Sequence, residues 1–101
     1  MTYLVKLTER ALRDLECIYN YIHADTSEAA FAWFNELSDM ILRLERFPNR
    51  GTVATENKKV HHLFFGEKPH VYRIIYTVDP RKRAVTVLHI RHGARAVLSQ
   101  E

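Results

Sequence analysis

Leu12, Leu15, Tyr19 and Ile22 recur at steps of three, four and three, the spacing of one helix face. This predicts a helix over about residues 9–23. Thr8 is placed to cap it and Glu9 suits the positive end of its dipole. Phe31, Phe34, Leu37, Ile41 and Leu44 make a second stripe that ends near Phe47, where Pro48-Asn49-Arg50-Gly51 stops it. The short turn Ala24-Asp25-Thr26-Ser27 offers Thr26 or Ser27 as the second cap, so the two stripes predict an antiparallel helical hairpin.

Elsewhere the period falls to two. Tyr3–Leu7 alternates weakly and reads as a short strand. Thr52–Lys59 is polar and reads as a loop. Val60–Phe65 reads as a strand closed by Gly66-Glu67-Lys68-Pro69. Val71–Val78 is rich in β-branched and aromatic residues and is the clearest strand. Asp79-Pro80-Arg81-Lys82-Arg83 is a charged turn, Val85–His92 a last strand, and residues 94–100 a short terminal helix beyond Gly93. The order β-α-α-β-β-β is α+β: an N-terminal strand, a helical hairpin, then a three-stranded antiparallel sheet with one face covered by helices. The chain has no internal repeat or linker, so residues 1–101 read as one domain.

Strand parity separates two faces. Tyr72, Ile74, Tyr76 and Val78 form the more apolar set and are assigned to the helices, together with Leu88 and Ile90 of the last strand. Arg73, Thr77, His89 and Arg91 then share the open face, provided the register is not slipped by one residue. His92 and Arg95 straddle Gly93 where that strand ends. The candidate site is therefore a basic constellation of Arg73, Arg91, His92 and Arg95, with His89 nearby and Lys58 and Lys59 as an extension.

Charge sharpens this picture. Of 101 residues, 47% are hydrophobic and the net charge is +3. Residues 1–50 carry 6 basic and 8 acidic side chains, whereas residues 51–101 carry 9 basic and 4 acidic, with five of the six histidines. A basic second half points to an anionic partner. The hairpin, residues 9–47, carries 4 basic and 8 acidic groups, which argues against a DNA-reading helix-turn-helix. Arginines bind phosphate bidentately and a histidine can move a proton near neutral pH, which together suffice for RNA cleavage by 2′-hydroxyl attack. The same residues on an exposed strand also suit a merely solvated face.

Other chemistry is sparse. The adjacent pair His61-His62 would point to opposite faces of a strand and chelates poorly, so no metal and no cofactor is expected. The single cysteine, Cys17, reads as a packed side chain, and Trp33 and Phe34 as core or partner contacts. No apolar run approaches the length of a membrane span and the N-terminal residues do not form a secretory signal, so a cytoplasmic protein is expected.

The segments Val71-Tyr72-Arg73-Ile74-Ile75-Tyr76-Thr77-Val78-Asp79 and Val87-Leu88-His89-Ile90-Arg91-His92-Gly93-Ala94-Arg95 resemble the signature of the RelE/ParE superfamily, the toxins of type II toxin-antitoxin modules, often called plasmid stabilisation proteins. Leu7–Leu15 and Phe47-Pro48-Asn49-Arg50-Gly51 lie where that family has its first helix and its Pro-Gly break, so the resemblance spans nearly the whole chain. It implies a growth inhibitor neutralised by a cognate antitoxin that wraps over it in a hetero-oligomer. It also implies one of two targets, the ribosome with its mRNA or DNA gyrase. In the RelE-like branch Arg73 would contribute to catalysis, with His92 or Arg95 at the end of the last strand. That branch tends to have a lysine-rich strand before the central one and a tyrosine near the C-terminus. Here the strand reads His61-His62-Leu63-Phe64-Phe65 and Ala96-Val97-Leu98-Ser99 follows Arg95, so the ending is more ParE-like. Three readings result: a ParE-like gyrase inhibitor, a metal-independent ribosome-dependent mRNA endonuclease, and a non-toxic partner-binding module.

Overall fold

A computed structural model describes residues 2–54, 57, 59–67 and 70–92. Its elements are β1 (Leu4–Leu7), α1 (Glu9–Tyr21), α2 (Glu28–Leu42), a 3-10 turn (Arg43–Glu45), β2 (Thr52–Val53), β3 (Val60–Glu67), β4 (His70–Asp79) and β5 (Ala84–His92). The α+β class holds. The sheet is larger than the three antiparallel strands expected: five strands in the order β1-β5-β4-β3-β2, with β1 parallel to β5 and the other pairs antiparallel. The terminal helix expected over residues 94–100 lies outside the described residues.

Both helices start where their caps are. Thr8 accepts from Ala11 N–H at 3.0 Å and Ser27 accepts from Ala30 N–H at 3.2 Å, each satisfying an otherwise orphaned donor of the first turn. α1 stops at Tyr21 rather than residue 23 because His23 adopts φ 59, the left-handed conformation that ends helices. The hairpin closes through rings: Tyr19 and Phe34 meet edge to face at 5.1 Å.

The core lies between the helices and one face of the sheet. Leu37, Ile41 and Leu44 of the second stripe pack with Leu63, Tyr72, Ile74, Tyr76, Val85, Val87 and Ile90. Trp33 fills the corner against Phe65 and Tyr72, at 5.1 and 5.6 Å between ring centroids. The parity assigned to β4 therefore holds. Parity fails on β5, where a bulge pairs Ile75 with His89 but Tyr76 with Val87, leaving Leu88 as the extra residue. Val85 and Val87 face the helices before the bulge and Ile90 after it, while Leu88 is only half-buried. Leu12 and Phe31, placed in the apolar stripes by spacing, remain exposed at 55% and 47%.

The expected loop after Gly51 contains β2. Thr52 and Val53 pair with His62 and His61, and Gly51 N–H donates to the Tyr76 hydroxyl at 3.0 Å. A Cβ on Gly51 would lie 2.7 Å from both that hydroxyl and the His62 carbonyl, so the close approach requires glycine.

Candidate functional site

The face of the sheet away from the helices is built by register. Phe64 on β3, Arg73 on β4 and Arg91 on β5 are direct cross-strand partners and form one row. The next row is His62, Ile75 and His89. Thr77 lies beside Thr86, and Thr86 beside Lys6 of β1. Arg73, Thr77, His89 and Arg91 are thus on one face, as parity predicted.

The other predicted residues are not brought together there. Tyr72 is the partner of His92, which puts His92 on the helix side, edge-on to the Tyr72 ring at 5.1 Å. There it lines a cavity of about 610 Å³ between α1 and β5, with Arg10, Asp14, Cys17, Tyr21 and its predicted partner Arg91. Strand parity places His92 with Ile90 on the helix side, whereas its position at the strand end groups it with Arg91, with which it shares the cavity. Lys59 precedes Val60, whose partner is Thr77, four residues along β4 from Arg73; its N–H binds Asn57 Oδ1. Lys58 and Arg95 lie outside the described residues. Cys17 is exposed rather than packed.

His61 and His62 do point to opposite faces. His61 is 7% exposed and stacks on Tyr76 at 5.1 Å, whereas His62 Nδ1 lies 3.4 Å from Arg73 Nη1 on the open face. A guanidinium only donates, so in this contact Nδ1 is the acceptor and the neutral ring carries its proton on Nε2. Arg73 Nε and the Nδ1 atoms of His89 and His92 are buried without a hydrogen-bond partner. The described residues contain no cluster of three or more metal-ligating side chains. None of their helices is long and apolar enough to cross a membrane.

The edge of β5 beyond β1 is held by α1. Thr8 N–H donates to Val87 O at 3.1 Å, the Thr8 hydroxyl to Leu88 O at 2.7 Å, and Ile90 N–H to Asp14 Oδ2 at 2.9 Å. This brings Arg10 toward His89. Burial first, then Arg10, Arg91 and Arg73, lower the His89 pKa, with Asp14 opposing them. His89 is therefore neutral at pH 7, the state required of a proton acceptor. The same shift makes a stability prediction. A histidine with a depressed folded-state pKa contributes stability above its unfolded value of about 6.5, and that contribution is lost as pH falls through the folded value. Melting midpoints of His89→Gln should fall less than those of the parent between about pH 7.5 and 5; parallel curves would show that His89 is not the group being titrated.

Sequence parity missed two residues of this face. His62 was weighed only as a metal ligand. Phe64 is the middle member of the run Leu63-Phe64-Phe65 and, by strand alternation, points away from its two neighbours.

A two-layer α+β fold whose sheet face away from the helices carries His62, Arg73, His89 and Arg91 defines the class, and comparison with solved structures finds the same architecture. A RelBE2 toxin-antitoxin complex from Mycobacterium tuberculosis matches with TM-score 0.67 and 23% identity, covering 91% of this chain and 99% of that one. A ParDE system from Pseudomonas aeruginosa matches with TM-score 0.67 and 21% identity, covering 89% and 95%. A mutant Escherichia coli RelE toxin in its free state matches with TM-score 0.67 and 18% identity, covering 99% and 94%. A search of curated proteins gave no match. The family model for the ParE toxin of the type II toxin-antitoxin system parDE matches residues 5–97. The chain belongs to that family, within the RelE/ParE superfamily of type II toxins.

Proposed function

We propose that this protein is a growth inhibitor that acts in the cytoplasm by protein–protein contact with DNA gyrase and is neutralised by a cognate antitoxin. The ParE family match over residues 5–97 carries this reading. The register position of His92 on the face opposite Arg73 supports it, because the expected phosphate clamp of the central strand and the expected proton-transfer residue do not share a face, although Arg91 lines the cavity beside His92. Two neighbouring cavities that share Tyr21 and Tyr72 offer an antitoxin segment a seat. One has Arg10 and His92 in its wall; the other, of about 320 Å³, has Trp33. Induction without antitoxin should stop growth and provoke a DNA-damage response, and the purified chain should block supercoiling by gyrase. Cleavage of ribosome-bound mRNA with supercoiling untouched would overturn this reading.

A ribosome-dependent mRNA endonuclease is the second reading. Arg73 and Arg91 stand opposite each other, with neutral His89 on the same face. Arg73 would hold the scissile phosphate and His89 would accept the 2′-hydroxyl proton. Primer extension after induction would then show discrete cuts that disappear in Arg73→Ala and in His89→Ala. Persistent cuts in both variants would remove the assignment.

A further inference from the structure

Two cavities meet on the helix side of the sheet. The one of about 610 Å³ between α1 and β5 and the one of about 320 Å³ beside Trp33 both have Tyr21 and Tyr72 in their walls, so they adjoin as two parts of one groove. Both volumes fall in the range of small-molecule sites.

The two parts differ in chemistry. Among the described residues, the larger carries Arg10, Arg91 and His92 and, against them, the carboxylate of Asp14. Asp14 is already engaged, because its Oδ2 accepts from Ile90 N–H at 2.9 Å. Two guanidinium groups against one carboxylate leave an excess of one positive charge. The neighbouring His89 registers it: after burial, Arg10, Arg91 and Arg73 lower its pKa and Asp14 alone opposes them. His92 adds a donor. Its Nδ1 is buried without a hydrogen-bond partner, which favours the tautomer with the proton on Nε2. The smaller part is apolar, with Trp33, Ile22 and Ala30 facing the Tyr72 ring and no carboxylate, lysine or arginine among its described residues.

This pairing selects a ligand. A single excess positive charge matches a monoanion; a phosphate dianion brings a second negative charge that Asp14 repels. A bare anion such as acetate leaves the apolar part in water, and a neutral hydrocarbon leaves the arginines without their anion. A molecule with one carboxylate and an apolar body satisfies both parts.

We infer that this groove is a binding site for a small amphipathic carboxylate, with the head at Arg10, Arg91 and His92 and the hydrocarbon or aryl body on Tyr72 and Trp33. The site goes beyond the gyrase reading and does not depend on it.

The groove carries two reporters of its own. Trp33, the chain's one tryptophan, lines the apolar part, and Cys17, its one cysteine, is exposed in the wall of the charged part. The test titrates the purified full chain, free of antitoxin, with hexanoate, octanoate and decanoate below micelle-forming concentrations, and with acetate and decanol as controls. Trp33 emission should shift, and Cys17 should lose reactivity toward iodoacetamide over the same concentration range. Affinity should rise about 4-fold for each added methylene. Decanol should bind about 5-fold or more weakly than decanoate, because it lacks the charged head. Arg10→Gln, an exposed change on α1, should weaken decanoate binding by roughly 3- to 10-fold and leave decanol unaffected. Ala30→Leu keeps a good helix former but fills the apolar part, and should abolish the dependence on chain length.

Three results overturn the proposal: equal affinity for decanoate and decanol, an affinity independent of chain length in the parent, or a Trp33 shift with Cys17 reactivity unchanged. Masking of both reporters by a rise in protein concentration alone would assign the groove to a second copy of the chain and overturn it equally. The supercoiling assay contains no carboxylate ligand, so failure here is distinguishable from failure of the gyrase reading.

Discussion

Ile74→Ala is expected to lower the melting midpoint by roughly 10–30 °C, the equivalent of about 2–5 kcal/mol in a domain of this size. Ile74 is 0% exposed in the middle strand, between Leu63 on β3 and Ile90 on β5, and faces the helix layer. Truncation leaves a cavity that neither neighbour can fill, because each is held by its own backbone ladder. Phe64, on the opposite face and half exposed, is the control: its alanine variant should stay within about 0.5 kcal/mol of the parent. Thermal unfolding followed by circular dichroism separates the two. Equal midpoints would mean that the helices do not pack at Ile74. The contrast governs how growth assays are read, because a loss of about 1–2 kcal/mol can by itself reduce the amount of folded toxin in a cell several-fold.

Gly66→Ala should open the end of the β3–β4 hairpin. Gly66 has φ +102, and a Cβ there would lie 2.2 Å from the His70 carbonyl oxygen, a backbone atom that cannot rotate away. The backbone conformation alone costs an alanine about 1–3 kcal/mol, and relief of the clash separates the last pairs, Gly66–Val71 and Glu67–His70. The same Cβ would come 3.6 Å from the Trp33 ring, the chain's one tryptophan. The variant should therefore show both a lower midpoint and a shifted tryptophan emission. An unchanged spectrum with an unchanged midpoint would disprove the strained hairpin.

The sequence was most legible where local chemistry and periodicity agree. Thr8 and Ser27 announce both helix starts, and the alternation of β4 separates Ile74 from Arg73 correctly. It was least legible where tertiary pairing acts. A two-residue strand such as β2 has no period, and it exists because His61 and His62 offer it partners and Tyr76 accepts from Gly51 N–H. The bulge at Leu88 resets parity along β5, which a count by twos cannot foresee. His92 was grouped by its place in the chain, whereas the pleat turns it to Tyr72. Phe64 was hidden by composition: three apolar residues in a row look like core, although a strand can send only alternate members there.

The parallel pairing of β1 with β5 has a consequence for synthesis. Leu4–Leu7 is made about eighty residues before its partners Ala84–Val87. Thr8, which caps α1, also holds Val87 and Leu88. Until β5 has left the ribosome, the first strand has no neighbour, Arg73 has no Arg91 opposite it, and α1 has no edge to close. Formation of so non-local a sheet is slow compared with helix formation. The five-stranded sheet, and with it the row that joins Arg73 to Arg91, thus closes only after β5 has been made.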